Sequence, residues 1–368
     1  MNIPFLSFHY CNRQIKPEIT DAFERFFDAS VYILGNEGQK FENAYALFNQ
    51  TKYAIGISNG LDALQISLKA LGIEKGDEVI VPSNTYIATV LSITHMGATP
   101  VFSEPEIGTY NLNPGLIEEA ITQHTKAIMP VHLYGLSCNM EPIMQLANKY
   151  DLKVIEDNAQ AHGAILKNKI TGSWGHINAT SFYPGKNFGA LGDAGAITTN
   201  DENLAILAKC LRNYGSQKKY FNEVIGYNMR LDECQAAFLS VKLKYLDGWT
   251  KERQKIAGWY HEGLKELTEI ILPSMPDDGS HVYHIYMIRY DRRDELQTYL
   301  ERNGIGTLIH YPVPPHLQNA YSSMGFRKGD FPIAEKIAAS CLSLPIYPGL
   351  TIDDVGFICD SIKKFYYA

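Results

Sequence analysis

The chain lacks closely spaced cysteines. Its six, Cys11, Cys138, Cys210, Cys234, Cys341 and Cys359, are scattered through 368 residues. That excludes a zinc ribbon or a Cys-x-x-Cys redox pair and fits free thiols in a reducing compartment. An excess of positive charge is missing too: the formal net charge is −7. No global field gathers nucleic acid, so an anionic ligand has to be caught by local cations and backbone N–H groups. No run of about 18 apolar residues occurs, and no membrane span is expected. The opening MNIPFLSFHYCNRQIKPEI has no basic region followed by a long apolar stretch, so a cytoplasmic protein is expected. No G-x-G-x-x-G follows the first strand-like run, which argues against a dinucleotide site. His281 and His284 stand three apart in HVYHIY, which reads as a strand. Such positions face opposite sides, so no metal site is expected. Internal repeats and low-complexity tracts are absent.

What is present is the composition of a globular enzyme, 45% hydrophobic and 20% charged. The length suits one large domain and a smaller one. From residue 53 to about 200, β-branched runs at 53–58, 77–82, 99–102, 127–133, 152–157, 178–183 and 195–199 alternate with helix-like segments at 61–72, 86–97 and 140–150. This pattern predicts an α/β large domain with a mainly parallel sheet covered on both faces. Ligands on such sheets bind beyond the carboxyl ends of the strands. Apolar residues three or four apart predict a long helical region over 231–268, able to join two domains. A strand at 281–290, a helix at 291–304, a strand near 307–311 and a final helix at 352–366 complete a small α+β domain. The expected division is 1–248 and 249–368.

Four stretches carry candidate chemistry. SNGLDAL (58–64) ends a strand at a glycine and opens a helix, whose first N–H groups can hold a phosphate. The plain alternative is an ordinary turn with Asn59 as cap. VIEDNAQAHG (154–163) ends an apolar strand in Glu156-Asp157, with Gln160 and His162 close behind. An acid there can pair with a buried cationic ring nitrogen or simply stay solvated. PSNTYIAT (82–89) puts Tyr86 just past a strand end, to stack on a flat ring or to pack in the core. SFYPGKNFGALGDAGAI (181–197) sets Lys186 alone among glycines and apolar residues. Burying an unpaired ammonium is costly. A desolvated lysine becomes a nucleophilic amine that condenses with carbonyls; the alternative is a surface lysine on a glycine-rich loop. Together, a phosphate-binding helix start, an acid for a pyridinium nitrogen, an aromatic face and an amine fit one cofactor, pyridoxal 5'-phosphate.

At these residues the chain resembles the DegT/DnrJ/StrS sugar aminotransferases, within the aspartate-aminotransferase fold type (fold type I). The resemblance runs nearly end to end, through PFLSF, LGNEGQKFENAYALF, SNGLDAL, EDNAQAHG, SFYPGKNFGALGDAG, RNYGS, GYNMRLDECQAA and HYPVPPHLQ. It implies that Lys186 is the catalytic lysine that binds the cofactor and carries protons. It implies Asp157 at the pyridine nitrogen, Gln160 near the ring hydroxyl, Tyr86 stacked on the ring, and Gly60, Leu61 and Ser181 around the phosphate. Asn228 in GYNMR is implied to reach the phosphate of a neighbouring subunit, so a homodimer with shared active sites is expected. Relatives commonly carry phenylalanine where this chain has Tyr86, and threonine or serine where it has Gly185. Some replace the lysine with histidine and remove a hydroxyl; Lys186 favours transamination.

The pattern YPGKN with SNGLDAL is most similar to enzymes that aminate C3 of a dTDP-linked 3-keto-6-deoxyhexose. The implied donor is L-glutamate. The implied product is a dTDP-3-amino-3,6-dideoxyhexose, galacto or gluco, of the kind built into lipopolysaccharide or S-layer glycans. Candidate substrate contacts are Tyr183, Lys218, Lys219, Tyr220, His310 and His316. Against these stand a solvated basic loop for the lysines and packing for the histidines. Two other functions stay open: amination at C4 of a nucleotide-linked 4-keto sugar, and a pyridoxal-phosphate-binding regulator without turnover. The complete lysine–aspartate–glutamine set argues against the regulator.

Overall fold

Successive residues of a strand point to opposite faces, and here both faces are covered by helices. The computed structural model describes residues 2–276, 278 and 280–368. Its central sheet has seven strands in the spatial order 53–57, 195–199, 177–181, 153–157, 125–128, 78–82, 99–103. Strand 195–199 is antiparallel to both neighbours, and the others run one way. Val79 and Val81 join Ile55, Ile57 and Ile155 in one core, against the helices Gly60–Ala70, Ile87–His95 and Glu202–Leu211. Ile80, Ile128 and Val154 face the other way, onto Met140 and Ile143 of the helix Met140–Lys149. Each such side chain, fully buried, contributes about 1.5–3 kcal/mol.

The same alternation separates two adjacent acids at the end of strand 153–157. Glu156 accepts hydrogen bonds from the N–H groups of Gly172 (2.8 Å), Trp174 (2.6 Å) and Gly175 (2.8 Å), and from His132 Nε2 (2.8 Å). His132 Nδ1 accepts from the Cys138 N–H at 3.0 Å, which fixes the neutral tautomer that donates to Glu156. Asp157 points to the opposite face, toward the helix Ile87–His95.

A second core gathers Tyr260, Tyr286, Ile288, Leu296, Leu342 and Ile358. It lies between the helices Leu246–Leu264, Arg293–Arg302 and Ile352–Tyr366 and a two-stranded antiparallel pair, Tyr286–Arg289 with Cys341–Leu344. Ile3 packs into this core and bridges to Ile305, so the first residues sit with the small C-terminal unit.

Three local expectations change. The helical region expected over 231–268 is two helices, Glu233–Leu243 and Leu246–Leu264. At the junction the hydrogen bonds tighten by one residue, Lys244 to Val241 and Tyr245 to Lys242. Lys244 and Tyr245 both reach Glu18 of the first helix, His9–Ala29. The strand expected over 281–290 is confined to Tyr286–Arg289. Tyr283 has φ of 45°, which breaks the extended backbone, and residues 280–285 run instead beside the loop 134–137. The alternation argument for His281 and His284 therefore does not apply. Among the described residues no group of three or more His, Cys, Asp or Glu side chains stands together as a metal site would need. The segment near 307–311 makes only a bridge, Leu308 with Ser343. No helix among the described residues is long and apolar enough to cross a membrane.

Candidate active site

The crevice lies beyond the carboxyl ends of strands 53–57, 78–82, 153–157 and 177–181, as sheet topology dictates. At the first, Asn59 caps the helix Gly60–Ala70 by accepting from the Asp62 N–H at 2.9 Å. The Ala63 N–H bonds to the Asn59 carbonyl. The N–H groups of Gly60 and Leu61 are left without a partner among the described residues. These are the groups a helix start offers to an anion.

Gly60 presses directly on Ser181. A Cβ on Gly60 would lie 2.6 Å from Ser181 Cβ and 3.1 Å from its Cα. Two free N–H groups and a hydroxyl thus meet in a cradle that a side chain would fill. Gly60→Val is expected to weaken cofactor retention by at least about tenfold and to cost about 1–3 kcal/mol of stability, because the clash is with strand backbone. Dialysis followed by absorbance, with a thermal melt, measures both. Unchanged retention would remove this contact from the phosphate site.

Asp157 is buried. Its Oδ2 accepts from Thr89 Oγ1 at 2.8 Å and its Oδ1 from the Ala159 N–H at 3.1 Å. Burial raises its carboxyl pKa, opposed by those two hydrogen bonds and by Lys186. A cationic ring nitrogen is the group such a carboxylate suits. Gln160 is held at both ends: its Oε1 accepts from the Tyr134 N–H at 2.6 Å, and its Nε2 donates to the Tyr311 hydroxyl at 3.1 Å. Tyr86 is half-exposed at the start of its helix, with its ring 5.1 Å from that of Tyr311. An exposed aromatic face in a crevice is available for stacking.

Lys186 stands opposite these groups. Its amine makes no hydrogen bond among the described residues. Burial pulls its pKa down to about 8, with Asp157 the opposing influence. The imidazoles of His162, His284 and His310 are each kept neutral, first by burial and then by the positive charge of Lys186. His162 Nε2 donates to the Ser181 carbonyl at 2.9 Å and so ties the phosphate cradle to the strand behind it, while its Nδ1 is buried without a partner among the described residues. His284 Nδ1 lies 3.3 Å from Asn187 Oδ1, next to the lysine.

The expected cofactor set, Lys186, Asp157, Gln160, Tyr86, Gly60, Leu61 and Ser181, thus converges on one crevice, and pyridoxal phosphate fits its donors. His310 faces it, bonded to Ser343 Oγ at 2.8 Å, and Tyr183 is exposed on the lysine loop. The others lie elsewhere. Lys218 and Tyr220 sit on an exposed hairpin, with Lys218 4.9 Å from the Phe221 ring. Asn228 lines a surface cleft with Asn59, Arg230 and Gln235. His316 is buried, bonded to Glu335 at 3.1 Å and packed on Phe331. Thr89, Tyr311 and Asn187 escaped the sequence reading, and His284 entered it only as one of a pair of metal candidates set aside. Only Thr89 had a signal: it follows Tyr86 by one helical turn.

The model of the DegT/DnrJ/EryC1/StrS aminotransferase family matches residues 13–363. A curated relative from Aneurinibacillus thermoaerophilus, named dTDP-3-amino-3,6-dideoxy-alpha-D-galactopyranose transaminase, is 52% identical over 99% of this chain and 100% of its own length. A relative from Geobacillus stearothermophilus named pleiotropic regulatory protein is 44% identical over 100% and 99%. Among solved structures, S. venezuelae DesV in complex with a ketimine intermediate superposes with a TM-score of 0.97 at 43% identity, covering 100% of this chain and 99% of that one. Bacillus subtilis NtdA with bound cofactor PMP gives a TM-score of 0.94 at 32% identity, covering 100% and 86%.

Proposed function

Because this chain belongs to the DegT/DnrJ/EryC1/StrS aminotransferase family, we propose that it is a pyridoxal-phosphate-dependent transaminase of nucleotide sugars. In this reading it moves the amine of L-glutamate to C3 of a dTDP-linked 3-keto-6-deoxyhexose. One observation carries it: Lys186 and Asp157 share a desolvated crevice that also holds the N–H groups of Gly60 and Leu61, without a partner among the described residues. The name of the Aneurinibacillus relative supports C3 and makes the galacto sugar the first acceptor to try.

Bound pyridoxal phosphate supplies an electron-withdrawing ring that takes up the electron pair left when a proton leaves the donor's α-carbon. Gly60, Leu61 and Ser181 would hold the phosphate. Asp157 would keep a proton on the ring nitrogen, Tyr86 would offer its ring for stacking, and Gln160 would stand near the ring hydroxyl. Lys186 Nζ takes the proton from the donor carbon and later delivers one to C3 of the sugar.

The lysine must be neutral to attack a carbonyl. With its pKa lowered to about 8, the neutral fraction rises about tenfold per pH unit below 8 and levels off above it. Capture of pyridoxal phosphate by the apo-protein is expected to follow that curve. A rate independent of pH across this range would contradict the assignment.

A second subunit is proposed to cover the exposed apolar face that includes Phe23, Phe27 (61% exposed) and Tyr32, and to receive Asn228 at its phosphate. The regulatory name of the Geobacillus relative favours a second reading, cofactor binding without turnover. Incubation with L-glutamate and the 3-keto sugar separates the readings. Release of 2-oxoglutarate with a 3-amino sugar supports the first. Product only from a 4-keto sugar moves the amination to C4, and no 2-oxoglutarate with either leaves the regulator.

A further inference from the structure

Two buried cations that the reading above does not use open onto a cleft lined also by Lys186, Asn187 and Cys11. Lys242 is 7% exposed and Arg253 4%. Lys242 Nζ donates to the carbonyls of Gly189 (2.6 Å) and Ala190 (3.5 Å). Arg253 Nη1 donates to those of Tyr283 (3.2 Å), His284 (3.4 Å) and Ile346 (2.9 Å). Every acceptor is neutral. Among the described residues neither cation forms an ion pair, and Nε and Nη2 of Arg253 have no hydrogen-bond partner. The ionisable neighbour both share is the Cys11 thiol, which burial pushes up to about 11 and so keeps uncharged at neutral pH. Burial lowers Lys242 only to about 8 and Arg253 to about 10, so both remain mostly charged at pH 7.

Buried charges in proteins are paired, and among the described residues this pair has no anion. The guanidinium fork matches a carboxylate in shape. Elsewhere around Lys186 stand the Asp157 carboxylate and three neutral imidazoles, none of which would receive a second anion. We propose that this cleft is a carboxylate subsite in which Arg253 and Lys242 hold a carboxylate of the amino donor while its amine stands at Lys186. The identity of the occupant rests on the transaminase reading; the unpaired cations do not.

Calorimetric titration of the holoenzyme with glutarate, which has two carboxylates and no amine, tests this. Arg253→Gln and Lys242→Met are each expected to weaken glutarate binding by about tenfold or more, and to raise KM for L-glutamate with little change in kcat. A second variant guards against misfolding. Cys11→Asp places a carboxylate inside the cleft and is expected to raise the melting temperature while abolishing glutarate binding. Unchanged glutarate affinity in folded Arg253→Gln overturns the subsite. So does a Cys11→Asp protein that melts lower and still binds glutarate, or a cleft that takes inorganic phosphate but not glutarate. If glutarate binds through these cations but L-glutamate never aminates the cofactor, the subsite stands and the donor reading falls. If L-glutamate turns over with KM unmoved in both variants, the donor reading stands and the subsite falls.

Discussion

Lys186→Ala is expected to lose at least about four orders of magnitude in turnover. Positioned proton transfer alone contributes about 10²–10⁴, and in the proposed role this amine also attaches the cofactor. The fold should survive. The lowered pKa means that the folded state holds the ammonium at a penalty below pH 8, and deleting the side chain removes that penalty. The melting temperature of the apo-protein at neutral pH is therefore expected to stay level or rise. The neighbouring imidazoles report the same change: His162, His284 and His310 lose one cause of their low pKa values and should titrate higher by NMR. Borohydride reduction and mass spectrometry complete the measurement, with a cofactor adduct in the wild type and none in the variant. Turnover above about a hundredth of the wild-type rate would remove Lys186 from its role.

Asp157→Asn should lose about 10²–10⁴ in turnover and keep its cofactor. The amide retains the local hydrogen bonds: its oxygen accepts from the Ala159 N–H, and its nitrogen donates to Thr89 Oγ1. What disappears is the charge proposed to hold a proton on the ring nitrogen. The sign of the stability change follows from the raised carboxyl pKa. The native apo-protein binds a proton at Asp157 more tightly than the unfolded chain does. That contribution is present below the unfolded value of about 3.9 and is lost as pH rises through the folded pKa. The variant lacks this loss, so its advantage in melting temperature should grow over that interval. Near-normal turnover by a folded Asp157→Asn would mean that the ring nitrogen needs no acid here.

Much of this site could be read in advance because its parts sit at fixed points of the chain. Gly60, Asp157 and Ser181 each fall at the end of a β-branched run, and strand ends are what hydrophobic alternation marks best. Lys186 was conspicuous because apolar and glycine neighbours made a lone cation costly. Tyr311, His284 and Asn187 left no such trace. They come from segments whose backbone departs from regular structure, where periodicity carries no information about which way a side chain points. Tyr283 shows the cause: one left-handed residue in HVYHIY turned an expected strand into a loop and brought His284 against Asn187. The helix His9–Ala29 was missed for another reason. It buries only Ile15 and Ala22 and leaves Phe23 and Phe27 in the open, so its apolar stripe does not follow the usual inside–outside rule.

The back-to-back arrangement of Glu156 and Asp157 has a consequence for how this enzyme can be altered. Asp157 is aimed by its neighbour, which is gripped from the opposite face of the sheet by Gly172, Trp174, Gly175 and His132. A shift of about 1 Å at a reacting group can change a rate about a hundredfold. The loop 172–175 therefore works as a remote adjustment on the chemistry, with no view of cofactor or sugar. Random mutagenesis that selects for altered speed should return substitutions there, and they should leave sugar preference untouched.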